Sequence, residues 1–145
     1  MEHKASTFMK RFNYLLGETN AVYHDMAQRL GLSDSIMQIL YSICDNGTSC
    51  LLQDICRNSG LSKQTVNSAL RKMEAEELVY LKPAGAKSKR VCLTEKGECL
   101  SQQTAGKVLK IENDILSCWA KEDVQKYLEL TEAFLTALRE KAKEL

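Results

Sequence analysis

Proline and histidine are nearly missing from this chain. One proline, Pro83, and two histidines, His3 and His24, stand among 145 residues, with only seven glycines beside them. So few breakers exclude a loop-dominated or low-complexity chain and leave long helices as the default. The two histidines form no Ser/His/Asp or Cys/His set, no pair of carboxylates stands out as an acid–base couple, and no glycine-rich phosphate loop is present. An enzyme is therefore not expected, nor are catalytic residues, a metal site or a cofactor. A run of about 18 apolar residues, the length of a membrane-crossing helix, is missing too. The opening Met1-Glu2-His3-Lys4 is not the apolar stretch of a signal peptide, so the cytoplasm is the expected location, with no membrane partner. Cysteine is not scarce, but its six copies lack C-x-x-C spacing. In a reducing compartment they read as small apolar residues, Cys56 between helices and Cys92 in a strand. Cys44, Cys50 and Cys99 leave a thiol sensor open as an alternative.

The informative stretch runs from Leu51 to Gly97. Leu52, Ile55 and Cys56 fall at helical spacing in a short first helix. Ser59-Gly60 breaks it, Leu61 plugs the turn, and Ser62 caps a second helix that is expected to reach about Glu77. Val66, Ala69 or Leu70, and Met73 form its inner stripe. Ser62, Lys63, Gln64, Thr65, Asn67, Ser68, Arg71 and Lys72 are left on the outside, with no acid between Lys63 and Lys72. Gln and Asn can bond an adenine edge through two hydrogen bonds, Ser and Thr can bond several bases, and Lys and Arg engage phosphates. Val79-Tyr80-Leu81 and Val91-Cys92-Leu93 then read as the strands of a hairpin around turn residues 82–86. Lys82, Lys87, Ser88, Lys89 and Arg90 furnish its polar, basic arm. A helix, a turn, a polar helix and a basic hairpin in this order make a winged helix-turn-helix, which implies double-stranded DNA as partner.

Charge is distributed to match. Residues 57–96 hold nine basic and four acidic side chains, a net of +5, while the whole chain is +1, which leaves −4 for the remainder. A basic face on an acidic body is the electrostatic footprint of a nucleic-acid binder.

Leu51-Leu52-Gln53-Asp54-Ile55-Cys56 followed by Gly60-Leu61-Ser62-Lys63-Gln64-Thr65-Val66 resembles the DNA-binding core of the MarR (multiple antibiotic resistance regulator) family. Leu70-Arg71-Lys72-Met73-Glu74, Glu77-Leu78-Val79 and Leu93-Thr94-Glu95-Lys96-Gly97 resemble that family's exit into the wing and the capped helix after it. The likeness is specific over residues 50–100 and architectural elsewhere. It implies a transcriptional regulator, with repression as the expected mode and a small-molecule effector as a further partner. The family wing usually carries Asp-x-Arg at its tip; aligned on Leu93-Thr94, this chain has Gly85, Ala86 and Lys87 there. A lysine is a point charge and not a planar fork, so minor-groove reading by this wing is not implied, whereas phosphate attraction is. The family's peroxide sensors carry their reactive cysteine in the first helix, where this chain has none.

The flanks read as amphipathic helices. Phe8, Phe12, Leu15, Thr19, Val22, Met26 and Leu30 make one stripe, ended by Gly31. Ser33 or Asp34 starts a helix with Ile36, Ile39, Leu40 and Ile43 inward. Thr94 is expected to cap one long helix to about Trp119, and a last helix spans about Lys121 to Glu144. The fold expected is mainly α with a small β-hairpin. The whole of 1–145 is read as one domain, with a DNA-reading lobe over about 33–97 and dimerisation helices over about 5–31 and 95–145. Their apolar surface exceeds what one small lobe covers, so a homodimer on an inverted repeat is expected; the alternative is a bundle within one chain. Tyr14, Tyr23, Tyr41 and Trp119 read as ordinary core or rim residues, and no effector site is assigned. A winged helix that binds only protein is a further alternative, against which the acid-free face of Lys63–Lys72 argues.

Overall fold

The computed structural model describes residues 4–145; His3 lies outside them. The elements are α1 (Thr7–Arg29), α2 (Asp34–Cys44), β1 (Ser49–Leu51), α3 (Leu52–Ser59), α4 (Lys63–Ala75), β2 (Val79–Pro83), β3 (Lys89–Leu93), α5 (Glu95–Gln103), α6 (Ala105–Ser117) and α7 (Lys121–Ala142). Contacts divide the chain after Leu109 into a first unit and a second unit of Lys110–Leu145.

In the first unit α2 is the central helix. Ile39, Leu40 and Ile43 are wholly buried in it. They meet Ile55 of α3, Val66, Leu70 and Met73 of α4, and Val79, Val91 and Leu93 of the sheet. Burying each such side chain stabilises the fold by about 1.5–3 kcal/mol, so this cluster carries the lobe. Ala27 of α1 and Ala105 and Val108 of α6 complete it.

Two expectations need correction. The hairpin is not alone: Ser49, Cys50 and Leu51 form a third strand, and the antiparallel order is β1-β3-β2. Cys50 stands opposite Val91, and Leu51 opposite Arg90. Three residues of mixed type directly before a helix offer no alternation to detect. The helix after the wing is also not continuous to Trp119. It breaks at Thr104 (φ −124°, ψ −87°), whose buried hydroxyl donates to the Leu100 carbonyl at 2.7 Å. A threonine hydroxyl bonding back one turn competes with regular helix geometry. The apolar stripe stays in phase across the break, which is why periodicity alone does not reveal it.

The recognition-type helix α4 ends unusually. Leu78 N–H donates to Met73 O and Glu77 N–H to Glu74 O, a Schellman closure. The residue in its left-handed position is Glu77, at φ 60°. Glycine is the usual occupant, since a Cβ there costs about 1–2 kcal/mol. Neighbours hold the arrangement: the Thr94 hydroxyl donates to Glu77 O at 2.6 Å, and Lys96 Nζ donates to Glu76 O at 3.0 Å. Thr94 Oγ1 also accepts the Gly97 N–H at 3.0 Å as the N-cap of α5. Gly97 packs so closely under this junction that a Cβ would collide with the Leu78 carbonyl oxygen.

In the second unit, α7 buries no residue, and Trp119 meets Tyr127 edge-on with centroids 6.0 Å apart. Leu128 and Phe134 keep 57% and 51% of their surface exposed.

Gly97→Ala is expected to destabilise the chain by roughly 3 kcal/mol, the upper part of the overpacking range, because the obstacle is backbone. Glu77→Gly is expected to stabilise it by about 0.5–1 kcal/mol, the relief of φ strain less the entropy glycine adds to the unfolded chain. Urea unfolding midpoints at unchanged slope measure both.

Candidate nucleic-acid interface

The turn between α3 and α4 is built by short-range bonds. Gly60 takes φ 70°, a conformation costly for any residue with a Cβ, and its N–H closes α3 onto Cys56 O at 3.1 Å. Leu61 N–H donates to Ser59 Oγ at 3.2 Å, which leaves its side chain half-buried against the core. Ser62 then caps α4. Its Oγ accepts the Thr65 N–H at 3.1 Å and donates to Thr65 Oγ1 at 2.8 Å.

Beyond that cap, α4 is sharply two-faced. Val66, Ala69, Leu70 and Met73 are buried, and all four of the inner-stripe candidates from sequence are used. Lys63, Gln64, Ser68, Arg71 and Lys72 are exposed, and Asn67 is half-buried. Lys63, Gln64, Asn67, Ser68 and Arg71 line one shallow groove. Gln64, Thr65, Ser68 and Lys72 line a second, whose other wall is Ser33, Ser35 and Ile36 of α2. Sequence reasoning assigned α2 to packing alone and missed Ser33 and Ser35; Ser33 was visible only as a helix cap. Among the described residues, Lys63, Arg71 and Lys72 enter no ion pair.

The hairpin follows directly. β2 and β3 pair from Val79↔Leu93 to Pro83↔Lys89, and Ala84 N–H closes the tip onto Ser88 O at 2.9 Å. Lys82, Lys87 and Lys89 are exposed; Ser88 and Arg90 are half-buried. Lys82 stands directly across from Arg90. Like charges in register oppose pairing. Arg90 Nη1 also donates to Ser49 Oγ at 3.2 Å, so this side chain is tied to β1. The thirteen sequence candidates thus fall on α4 with its cap and on the β2–β3 hairpin, with Ser62 and Thr65 partly consumed by the cap and Arg90 by the sheet.

The thiols and His24 add no further chemistry to this surface. Burial, and after it the nearby Asp54 carboxylate, pushes the Cys50 thiol above its usual pKa, which keeps it protonated. Cys92 is buried, whereas Cys99 and Cys118 are exposed. His24 Nδ1 lies 2.7 Å from Asp34 Oδ2, linking α1 to the first turn of α2. Among the described residues, no group of three or more His, Cys, Asp or Glu could hold a metal ion.

A helix, a glycine turn, a capped polar helix and a basic hairpin in a three-stranded sheet define a winged-helix protein. A sequence profile of the MarR family matches residues 26–90, the span from the end of α1 to the return strand of the wing. Over that span the chain is similar to the MarR family of transcriptional regulators. Solved structures of similar fold include a MarR family regulator from Neisseria meningitidis, 13% identical over 96% of this chain and 99% of that one, with a TM-score of 0.83. MepR of S. aureus, solved as a DNA complex, is 18% identical over 92% and 99%, with a TM-score of 0.67. BpsR of Bordetella bronchiseptica, whose DNA binding is regulated by 6-hydroxynicotinic acid, is 17% identical over 86% and 98%, with a TM-score of 0.61. No curated protein matches the chain in sequence at a significant level.

Ser62→Ala is expected to cost about 1 kcal/mol of stability through the lost cap. A thermal melt of the free protein checks this; an unchanged melt removes the capping role and returns the hydroxyl to the set of free surface groups.

Proposed function

We propose that this chain is a homodimer that binds double-stranded DNA sequence-specifically on an inverted repeat, represses transcription there, and is released by a small-molecule effector. One observation carries the DNA reading: the outer face of α4 from Lys63 to Lys72 is free of acids, and its exposed cations Lys63, Arg71 and Lys72 enter no ion pair among the described residues. Cations that find no carboxylate within the fold are available to phosphates, and Gln64 and Asn67 have the amide geometry that reads adenine. MepR, similar in fold, is known bound to DNA.

The dimer reading is supported by terminal helices that bury almost nothing. Ala27 is the only buried residue of α1, and α7 has none. Tyr127, Leu128, Leu135 and Leu138 remain exposed on α7, an apolar face that water disfavours and a second copy would cover. Two copies related by a two-fold axis place two α4 helices about 10 bp apart, which is the physical reason an inverted repeat is the matching target. Effector control is supported by BpsR, whose DNA binding responds to an aromatic acid. An effector releases DNA only if it prefers the spacing of the two lobes that does not fit the half-sites.

Gel shifts with duplex DNA across a salt series test the reading: binding that falls steeply with salt is expected, and no association at low salt refutes it. On a selected duplex, Gln64→Ala or Asn67→Ala is expected to lose about 1–3 kcal/mol of discrimination between right and wrong bases; equal weakening on all sequences removes them as readers. Sedimentation of the free protein is expected to give twice the chain mass, and Leu128→Glu to shift it toward one.

A further inference from the structure

The hairpin carries four cations, and they are not equivalent. Lys82, Lys87 and Lys89 are exposed at its tip and flanks. Arg90 is half-buried, and its guanidinium bonds Ser49 Oγ at 3.2 Å. Ser49 belongs to β1, which lies on the other side of β3 from β2. The only arginine of the hairpin is therefore drawn toward the far edge of the sheet, and the tip from Ala84 to Ser88 holds no guanidinium.

This difference has a defined consequence on duplex DNA. A narrow minor groove, as in A·T tracts, concentrates negative potential and attracts inserted cations. A guanidinium is weakly hydrated and planar and gives up water for such a slot; an ammonium is compact and holds its hydration. Lysines on a mobile stem fit phosphates on the rim, which are the same for every sequence.

Building on the DNA-binding reading above, we propose that the wing is a sequence-neutral phosphate clamp. Lys82, Lys87 and Lys89 engage the backbone, Arg90 is a positioning residue that ties the hairpin to β1 through Ser49, and base discrimination resides in α4.

Selection of bound duplexes from a random-sequence pool by the full chain tests this. Enriched bases are expected in two half-sites only, with none in the flanks where the wings would lie. Exchanging A·T for G·C in those flanks is expected to change affinity by less than about twofold, against roughly fivefold or more for one base pair that is read. Enrichment of A·T at a fixed flanking offset overturns the proposal. Lys87→Arg is expected to introduce that flank preference, and a variant that stays blind to the flanks overturns the assignment of the effect to the lysine. In a salt titration, Lys87→Gln is expected to lower the slope of log K against log salt by roughly 0.9 per protomer, and Arg90→Gln to leave it unchanged. An equal loss with Arg90→Gln places its guanidinium on DNA and overturns the positioning role. Selection with the unaltered chain stands independently of how any variant folds. A pool from which no duplex is retained refutes the DNA reading itself, an outcome distinct from flank enrichment.

Discussion

Four segments of the lobe meet at one hydrogen-bonded junction, and the candidate surface depends on it. Thr94 donates to Glu77 O, its backbone N–H donates to Leu78 O at 3.0 Å, and its Oγ1 accepts from Gly97. A single residue thereby fixes the end of α4, the start of β2, the end of β3 and the start of α5. The cost of Glu77 in a left-handed conformation is carried by these bonds and by the Lys96 contact to Glu76 O. The benefit is geometric. The helix with the polar face and the hairpin with the lysines leave the same point, so their relative angle is set by short bonds and not by loop entropy. Two surfaces meant to meet one rigid duplex need such a fixed angle, because a misdirected wing forfeits its contacts however many charges it bears.

The cations of this surface are without carboxylate partners among the described residues. Lys63, Arg71 and Lys72 enter no ion pair there, and Lys82 faces Arg90 across the ladder. The ion pairs that do form lie off this surface, as with Arg29 and Asp25 at 2.8 Å or Lys110 and Asp114 at 2.8 Å. Exposed pairs of that kind contribute little to stability, so their placement says more than their strength. Carboxylates are kept away from the face where they would repel an anion. Along the chain, the acids that follow the polar face of α4 are Glu74, Glu76 and Glu77, at its far end.

How much of this was legible in sequence follows from the range of the forces involved. The turn at Ser59-Gly60, the cap at Ser62, the stripe of α4 and the cap at Thr94 are set by neighbours within four residues, and residue type announces each of them. β1 is set by partners about 40 residues away, Cys92, Val91 and Arg90, and nothing in Ser49-Cys50-Leu51 declares them. The tie between Arg90 and Ser49 was hidden for the same reason. Thr104 interrupts a helix whose apolar phase is unbroken, so the signal that predicted one helix was correct about the face and silent about the axis. Ser62 reads from sequence both as a cap and as a DNA contact, and Thr65 as a DNA contact; the bond between their hydroxyls appears only once the cap geometry is known. The amphipathic stripes of α1 and α7 were plain, but a stripe states that a face wants covering and not what covers it.

The same distinction between local and distant contacts bears on regulation. The last turn of α1 is anchored in the lobe: Ala27 is wholly buried there, Met26 and Leu30 pack beside it, and His24 reaches Asp34 at the start of α2. α6 is anchored likewise through Ala105 and Val108. The rest of α1, from Phe8 to Tyr23, lies outside the core. A close-packed lobe does not bend to accommodate a moved helix; it follows it as a body. In the proposed dimer, a change in how the outer part of α1 is covered would act first on α2, which α1 meets through Ala27 and through His24 and Asp34. The proposed effector would not need to touch the DNA-facing side chains to act on them, because it is enough to favour one arrangement of the two anchored helices over another.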